Sequence, residues 1–269
     1  MKSVKLGFIG AGNMAGAIIQ GIVKRNTFPY ENIFIFDINQ KKCQALQQNI
    51  GVKVSNSTKN LVKDTDIIFL SVKPQNFTDV LTSIKEDITS DKLFVSIAAG
   101  ISTLYIQQTL ECPCPVIRTM PNTPLLLGKG ATAMCRSSNV SDHSFELVKS
   151  FFEACGTVNI LEEDKMNAVI SVNGSSPAYI YLFAKAMMDS AIKQGIPEQT
   201  ALELICQTLE GSAAMLRQPD TTPDQLIKMV SSPGGTTLEA LDVFYHYQLE
   251  KIVKEAMIAC TNRAEELGK

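Results

Sequence analysis

Short, almost wholly apolar runs alternate with segments of helical spacing over the first 160 residues, and helical spacing alone continues beyond them. Residues 4–9 (Val-Lys-Leu-Gly-Phe-Ile) form the first run, closed by Gly10, and a helix is expected from Met14 to Lys24. Ile33–Asp37 reads as a second strand, followed by a polar helix over Gln40–Asn49. Asp66–Val72, Leu93–Ala98 and Val116–Arg118 are further strands, apolar enough to be covered on both sides. Strands that alternate with helices predict a parallel sheet with helices on both faces. Two more strands are expected at Ala131–Cys135 and Thr157–Ile160, flanking a helix that starts behind Ser141 or Asp142 as N-cap.

After Glu162 the chain reads as helix almost throughout, punctuated by Gly195-Ile196-Pro197, Gln218-Pro219-Asp220 and Ser231–Gly235. The change of character divides the chain into an α/β domain, 1–163, and a helical domain, 164–269. Ala168–Ile192 is apolar, but Asn173, Ser175, Ser176, Lys185 and Asp189 interrupt it and Pro177 sits in its middle. That pattern is a core or interface helix and not a membrane span.

Composition narrows the partners. A chain of 269 residues has room for two domains with substantial cores. With 25 Lys and Arg against 27 Asp and Glu, and no basic run, nucleic acid is not expected as a partner. Met1-Lys2 leads directly into strand-like sequence without the pattern of a signal peptide, so the protein is expected to be cytoplasmic. The seven cysteines are scattered, and Cys112-Pro113-Cys114 lacks a second pair or nearby histidines. Reduced thiols are expected, and no metal site.

Candidate chemistry begins at Gly10-Ala11-Gly12-Asn13-Met14-Ala15, a G-x-G-x-x-A pattern between a strand and a helix. Gly10 permits a tight turn, Gly12 lets backbone approach a pyrophosphate, and Ala15 lets the helix pack close to the sheet. The helix N-terminus adds partial positive charge. Asp37 closes the second strand, where a carboxylate accepts hydrogen bonds from an adenosine ribose and favours NADH; capping of the next helix is the other reading, and Asn39, Lys41 and Lys42 still leave room for a 2′-phosphate. Ser71-Val72-Lys73-Pro74 and Ala98-Ala99-Gly100 end two strands on the side where open parallel sheets bind ligands. Lys73 either contacts the cofactor or faces solvent. Asn122 lies in the proline-stiffened loop Arg118–Pro124 at the same end of the sheet, where Arg118 is either functional or a buried charge tying loop to sheet.

Near the other end, Val230-Ser231-Ser232-Pro233-Gly234-Gly235-Thr236-Thr237 leads into a helix. Such a segment aims backbone N–H groups and a helix N-terminus at one small anion, of the size of a substrate carboxylate. Neither histidine, His143 or His246, sits where a general base is needed for alcohol oxidation.

Taken in order, Gly7–Ala15, Ser71–Pro74, Ser96–Gly100, Arg118–Pro124, Gly174–Tyr179 and above all Ser232–Thr237 resemble the pyrroline-5-carboxylate reductase family. The resemblance implies a Rossmann-like N-terminal domain and a helical dimerisation domain of the 6-phosphogluconate dehydrogenase-like kind. It implies reduction of a cyclic C=N bond by NADPH or NADH, in an obligate homodimer that can assemble further as five dimers. It also implies site residues: Val230, Ser232, Gly234, Gly235, Thr236 and Thr237 for substrate, Thr237 bonding the ring nitrogen, and Asn56 joining the cofactor contacts. Glu163 and Asp220 match family positions near the substrate, though an exposed carboxylate or a helix cap is the simpler reading of each. The chain departs from the family pattern at Asn173, where serine is usual, at Tyr245-His246-Tyr247, where a Gly-Phe pair is usual, and at Asp37. Dehydrogenases with the same two-domain plan use a lysine on the long helix, and none stands here before Lys185. A non-catalytic NAD(P)-binding regulator is the remaining alternative, and it would have little reason to retain the anion motif.

Overall fold

The computed structural model describes residues 4–268; Met1-Lys2, on which the leader-free reading rests, lie outside the described residues. By chain contacts it falls into two compact units, one running to Pro177 and resuming at Ile258, the other Ala178–Met257. The strands and helices of the first unit, in order, are β1 (Leu6–Ile9), α1 (Asn13–Lys24), β2 (Ile33–Phe36), α2 (Gln40–Ile50), β3 (Lys53–Val54), α3 (Thr58–Asp64), β4 (Ile67–Leu70), α4 (Phe77–Ile84), β5 (Leu93–Ser96), α5 (Thr103–Thr109), β6 (Val116–Met120), β7 (Gly130–Arg136), α6 (Asp142–Glu153) and β8 (Gly156–Ile160). The strands form one sheet in the order β3-β2-β1-β4-β5-β6-β7-β8.

Neighbouring strands are parallel except β6 and β7, which pair antiparallel with Met120 opposite Ala133. The sheet is parallel as expected, and this pair is the departure from it among the described strands. Residues 121–129 form only a short connection, too short for the helical crossover a parallel neighbour needs.

Side chains alternate across the strands as a period of two requires. Phe8, Phe69, Val95 and Ile117 point to a layer made with Ile18, Ile19 and Ile22 of α1, Leu46 of α2 and Phe151 and Phe152 of α6. Ile9, Ile68, Leu70 and Phe94 point the other way, onto Leu61 of α3, Leu81 of α4 and Ile106 of α5. The Phe8 and Phe69 rings stack at 4.3 Å between centroids, locking adjacent strands β1 and β4. Burying each such ring is worth about 1.5–3 kcal/mol. Helix starts are fixed locally by Asn39, Ser57, Ser102 and Ser141, whose side chains accept a backbone N–H of the first turn.

Beyond β8, a π turn over Ile170–Gly174 runs into α7 (Ser176–Lys193). Pro177 therefore sits in the first turn of α7, where its missing N–H costs nothing, and the irregularity falls just before it. The second unit continues with α8 (Glu198–Leu216), α9 (Pro223–Val230) and α10 (Thr236–His246), and α11 (Leu249–Leu267) ends back in the first unit. A capping box of Thr222 and Gln225, with Pro223 at the first position, starts α9. Among the described residues of 178–257 only Ala201 and Ile205 are buried apolar side chains, whereas Leu182, Phe183, Leu204, Met229, Val243 and Tyr247 are exposed. No described helix is long and apolar enough to cross a membrane.

Candidate active site

The sheet order changes direction at β1, whose neighbours are β2 on one side and β4 on the other. A crevice opens at that switch point, beyond the carboxyl ends of the strands. It has a volume of about 630 Å³ and is lined by Gly10, Gly12, Asp37, Lys42, Ser71 and Lys73, among others.

Gly10 has φ +101°, and a Cβ there would lie 2.5 Å from the Ser71 carbonyl oxygen. Its N–H donates to the Phe36 carbonyl at 2.7 Å, so the turn after β1 is pinned to β2 and pressed on β4. Gly12 differs. It caps α1 with φ −75°, and a Cβ would meet nothing within 4 Å. Its open face therefore looks onto free space, beside the α1 amides of Asn13 and Met14 that have no acceptor within the helix. Ala15 is buried beneath. These features suit a dinucleotide: Gly12 leaves backbone at the α1 N-terminus open to an approaching anion.

The Asp37 carboxylate accepts the Ala11 N–H at 2.8 Å and the Asn39 N–H at 2.8 Å, with Lys42 Nζ at 3.9 Å. It thus braces the glycine turn and the entry to α2, and still borders the crevice. Ser71 Oγ is buried there without a hydrogen-bond partner, an orphan that a bound ligand can satisfy. Lys73 is exposed on the rim. Asn56 is exposed in the turn after β3 and is not among the crevice residues; Thr58, at the start of α3, lines it instead. Thr58 and Asn76 carry no sequence signal beyond their place at helix starts, so they were not legible in advance.

At the end of β5, Ser96 Oγ accepts the Ala98 N–H at 3.3 Å. Gly100 has φ +82°, and its would-be Cβ lies 2.5 Å from the Ala264 carbonyl of α11. Its glycine is required by the docking of that helix, a reason the sequence did not suggest. Asn122 is buried, its Oδ1 accepting the Ala131 N–H at 2.9 Å.

Arg118 is buried and bonds Asn167 Oδ1 at 2.5 Å, with Glu163 at 3.8 Å. Burial lowers its pKa from the usual guanidinium value, and the neighbouring Cys135 and Glu163 partly oppose that shift. Glu163 also accepts the Thr103 N–H at 2.7 Å and its hydroxyl at 2.6 Å, capping α5. For both residues the geometry is that of a brace between sheet and loop.

In the second unit, Gly234 takes φ +69° and Gly235 caps α10. The expectation that the Gly235 amide faces an anion is corrected: its N–H donates to the Ser232 carbonyl at 2.9 Å, closing the turn. The α10 amides of Thr236 and Thr237 are the ones left without acceptors in the helix. Val230 and Ser232 are exposed on the approach, and Thr237 is half-buried. Asp220 is exposed, with φ +60°, in the turn before α9.

Over its whole length the chain is similar to known proteins. A pyrroline-5-carboxylate reductase of Methanosarcina acetivorans is 35% identical over 269 residues, covering 100% of both chains. The chain belongs to the pyrroline-5-carboxylate reductase family. The Escherichia coli pyrroline-5-carboxylate reductase is 35% identical over 265 residues, 98% of each chain. The crystal structure of Plasmodium falciparum pyrroline carboxylate reductase, with NADP bound, superimposes with a TM-score of 0.91 at 30% identity over 100% of both chains. The family model for pyrroline-5-carboxylate reductase dimerisation matches residues 163–267, and one for coenzyme F420-dependent NADP oxidoreductases matches 5–100. As a member of the reductase family the chain is a homodimeric NAD(P)H-dependent oxidoreductase with a Rossmann-like domain and a helical dimerisation domain.

Proposed function

We propose that the chain reduces 1-pyrroline-5-carboxylate to L-proline, the last step of proline synthesis, with the dinucleotide in the crevice after β1 and the substrate carboxylate at the start of α10. The bare face of Gly12 at the α1 N-terminus carries the cofactor half of this reading. Gly10–Ala15 would hold the pyrophosphate, Asp37 the adenosine ribose, and Ser71–Pro74 with Ala98, Ala99 and Asn122 the nicotinamide half. When bound, the reduced nicotinamide supplies a hydride to the substrate carbon.

The residues of the chain bind and orient. Thr236 and Thr237 amides, with the turn Ser232–Gly234, clamp the carboxylate, a placement worth about 0.3–1 kcal/mol when exposed and up to ~2 when partly buried. The Thr237 hydroxyl bonds the ring nitrogen as it becomes an amine. No side-chain base is needed, since the iminium substrate already carries the proton. His143 is exposed on α6 and His246 at the end of α10, and neither is given a role. The functional division at 163/164, completion of each site by the helical domain of the partner, a cytoplasmic location and assembly of five dimers belong to the same reading.

The test is proline formation from pyrroline-5-carboxylate with NADH and with NADPH. No turnover with either, in dimeric protein, would refute it. Asp37 sets the expected order: its carboxylate faces the ribose end, so NADH should be used at least as well as NADPH, and Asp37→Asn should move the ratio toward NADPH.

A further inference from the structure

We infer that Asn173 is a positioning residue that fixes the mouth of the nicotinamide site by clamping the β6–β7 connection; the inference rests on the cofactor placement proposed above. Asn173 is only 9% exposed. Its Nδ2 donates to the Met120 carbonyl at 2.7 Å and to the Ala131 carbonyl at 2.9 Å, bridging the last residue of β6 and the second of β7. The amide orientation is forced, because the reverse would press Oδ1 against two carbonyl oxygens.

That orientation leaves Asn173 Oδ1 buried without a partner. The side chain is therefore held through its two N–H donors, in spite of an unpaired acceptor. A serine has a single hydroxyl proton and cannot serve both carbonyls. The π turn that presents Asn173 is held against β6: a Cβ on Gly174 would lie 2.4 Å from Met120 Cε.

Ala131 is gripped from both sides. Its C=O accepts from Asn173 and its N–H donates to Asn122 Oδ1. Fixing that residue fixes the rotation of the Asn122 amide, whose N–H groups meet the cofactor in the placement proposed above. A second line of bonds runs from the same strand end to the β5 loop. The Thr119 hydroxyl donates to the Ser96 carbonyl at 3.0 Å, and Ser96 Oγ receives the Ala98 N–H. Asn173 thus touches neither cofactor nor substrate in this account and acts through Asn122 and Ala98.

The experiment measures the Kd of NADPH and of NADH by fluorescence titration, with kcat and melting temperature, in dimeric wild type, Asn173→Ser, Asn122→Asp and the double variant. Asn173→Ser should raise the cofactor Kd about tenfold. Asn122→Asp, which keeps the acceptor for the Ala131 N–H but removes the donors, should raise it at least as much, with some loss of melting temperature from the buried carboxylate. The double variant should bind no worse than the weaker single one, because both act on one interaction. A lowered melting temperature with an unchanged Kd in Asn173→Ser, or fully additive losses, overturns the inference. Should Asn173→Ser not fold, an unchanged Kd in Asn122→Asp overturns it alone. Wild type that binds neither cofactor refutes the functional reading itself, a result distinct from all of these.

Discussion

Replacing Gly10 or Gly12 by alanine should separate folding from cofactor binding two residues apart. Gly10→Ala forces a side chain onto φ +101° and drives a Cβ to 2.5 Å from the Ser71 carbonyl oxygen, a backbone atom just past β4 in a residue whose N–H is bonded to Ile9 of β1. A left-handed residue costs about 1–2 kcal/mol, and overpacking against a fixed neighbour adds roughly 1–3. The total of about 2–5 kcal/mol corresponds to a fall in melting temperature on the order of 5–15 °C. Gly12→Ala meets no neighbour within 4 Å and keeps an ordinary φ of −75°. Restricting the unfolded chain adds about 0.4–1 kcal/mol, which the poorer N-cap made by alanine offsets, so stability should change little. Yet its methyl group occupies the one bare approach to the α1 amides, and a displacement of about 1 Å there costs on the order of 100-fold in cofactor use. Thermal melts without ligand, paired with NADPH and NADH titrations, read both quantities. A Gly12→Ala protein that binds both cofactors within about threefold of wild type would refute the seat assigned to the pyrophosphate.

Thr237→Ala should lower kcat by roughly tenfold to a hundredfold while leaving cofactor Kd nearly intact, since a hydrogen bond in a closed site is worth about 1–3 kcal/mol; steady-state kinetics at saturating cofactor checks it. Glu163→Ala removes two acceptors from the start of α5 and the carboxylate beside buried Arg118. It should destabilise the protein by about 2–3 kcal/mol, below the range for a fully buried pair because Asn167 still holds the guanidinium and water reaches Glu163; urea melts measure it. Burial pushes the thiols of Cys114 and Cys135 up to about 12 and of Cys155 to about 11. At pH 8 all three are protonated, so iodoacetamide should leave them unmodified until the protein unfolds, as mass spectrometry of native and denatured samples would show. With so few buried apolar side chains in 178–257, folding and dimerisation should be one event, and the melting temperature should rise with protein concentration.

The sheet was legible because a strand covered on both faces has no choice but a nearly continuous apolar run, as at β1, β2, β4 and β5; β6 opens on Val116 and Ile117 before Arg118 and Thr119 interrupt it. The short strand β3 and the helices α3 to α5 were not individually called, since a few residues with one or two apolar anchors carry little periodicity. The reversal at β7 was hidden for another reason. Gly130–Arg136 is buried along nearly its whole length, and burial on both faces erases the alternation that marks many antiparallel strands.

In the site the same distinction holds between backbone demands and side-chain partnerships. The glycine turn was readable because only glycine tolerates Gly10's conformation, whereas the bond from Ala11 to Asp37 spans 26 residues and depends on β1 and β2 lying side by side. Gly100 shows the limit most plainly. It stands next to Ala98 and Ala99 in a row that invites a cofactor reading, yet the contact that demands a glycine comes from Ala264, some 160 residues later. A residue type can be fixed by the far end of the chain while its neighbours answer to the ligand, so adjacent members of one motif need separate tests. Gly10 and Gly12 make the same point within three residues: the fold demands glycine at the first, and at the second only the proposed cofactor would.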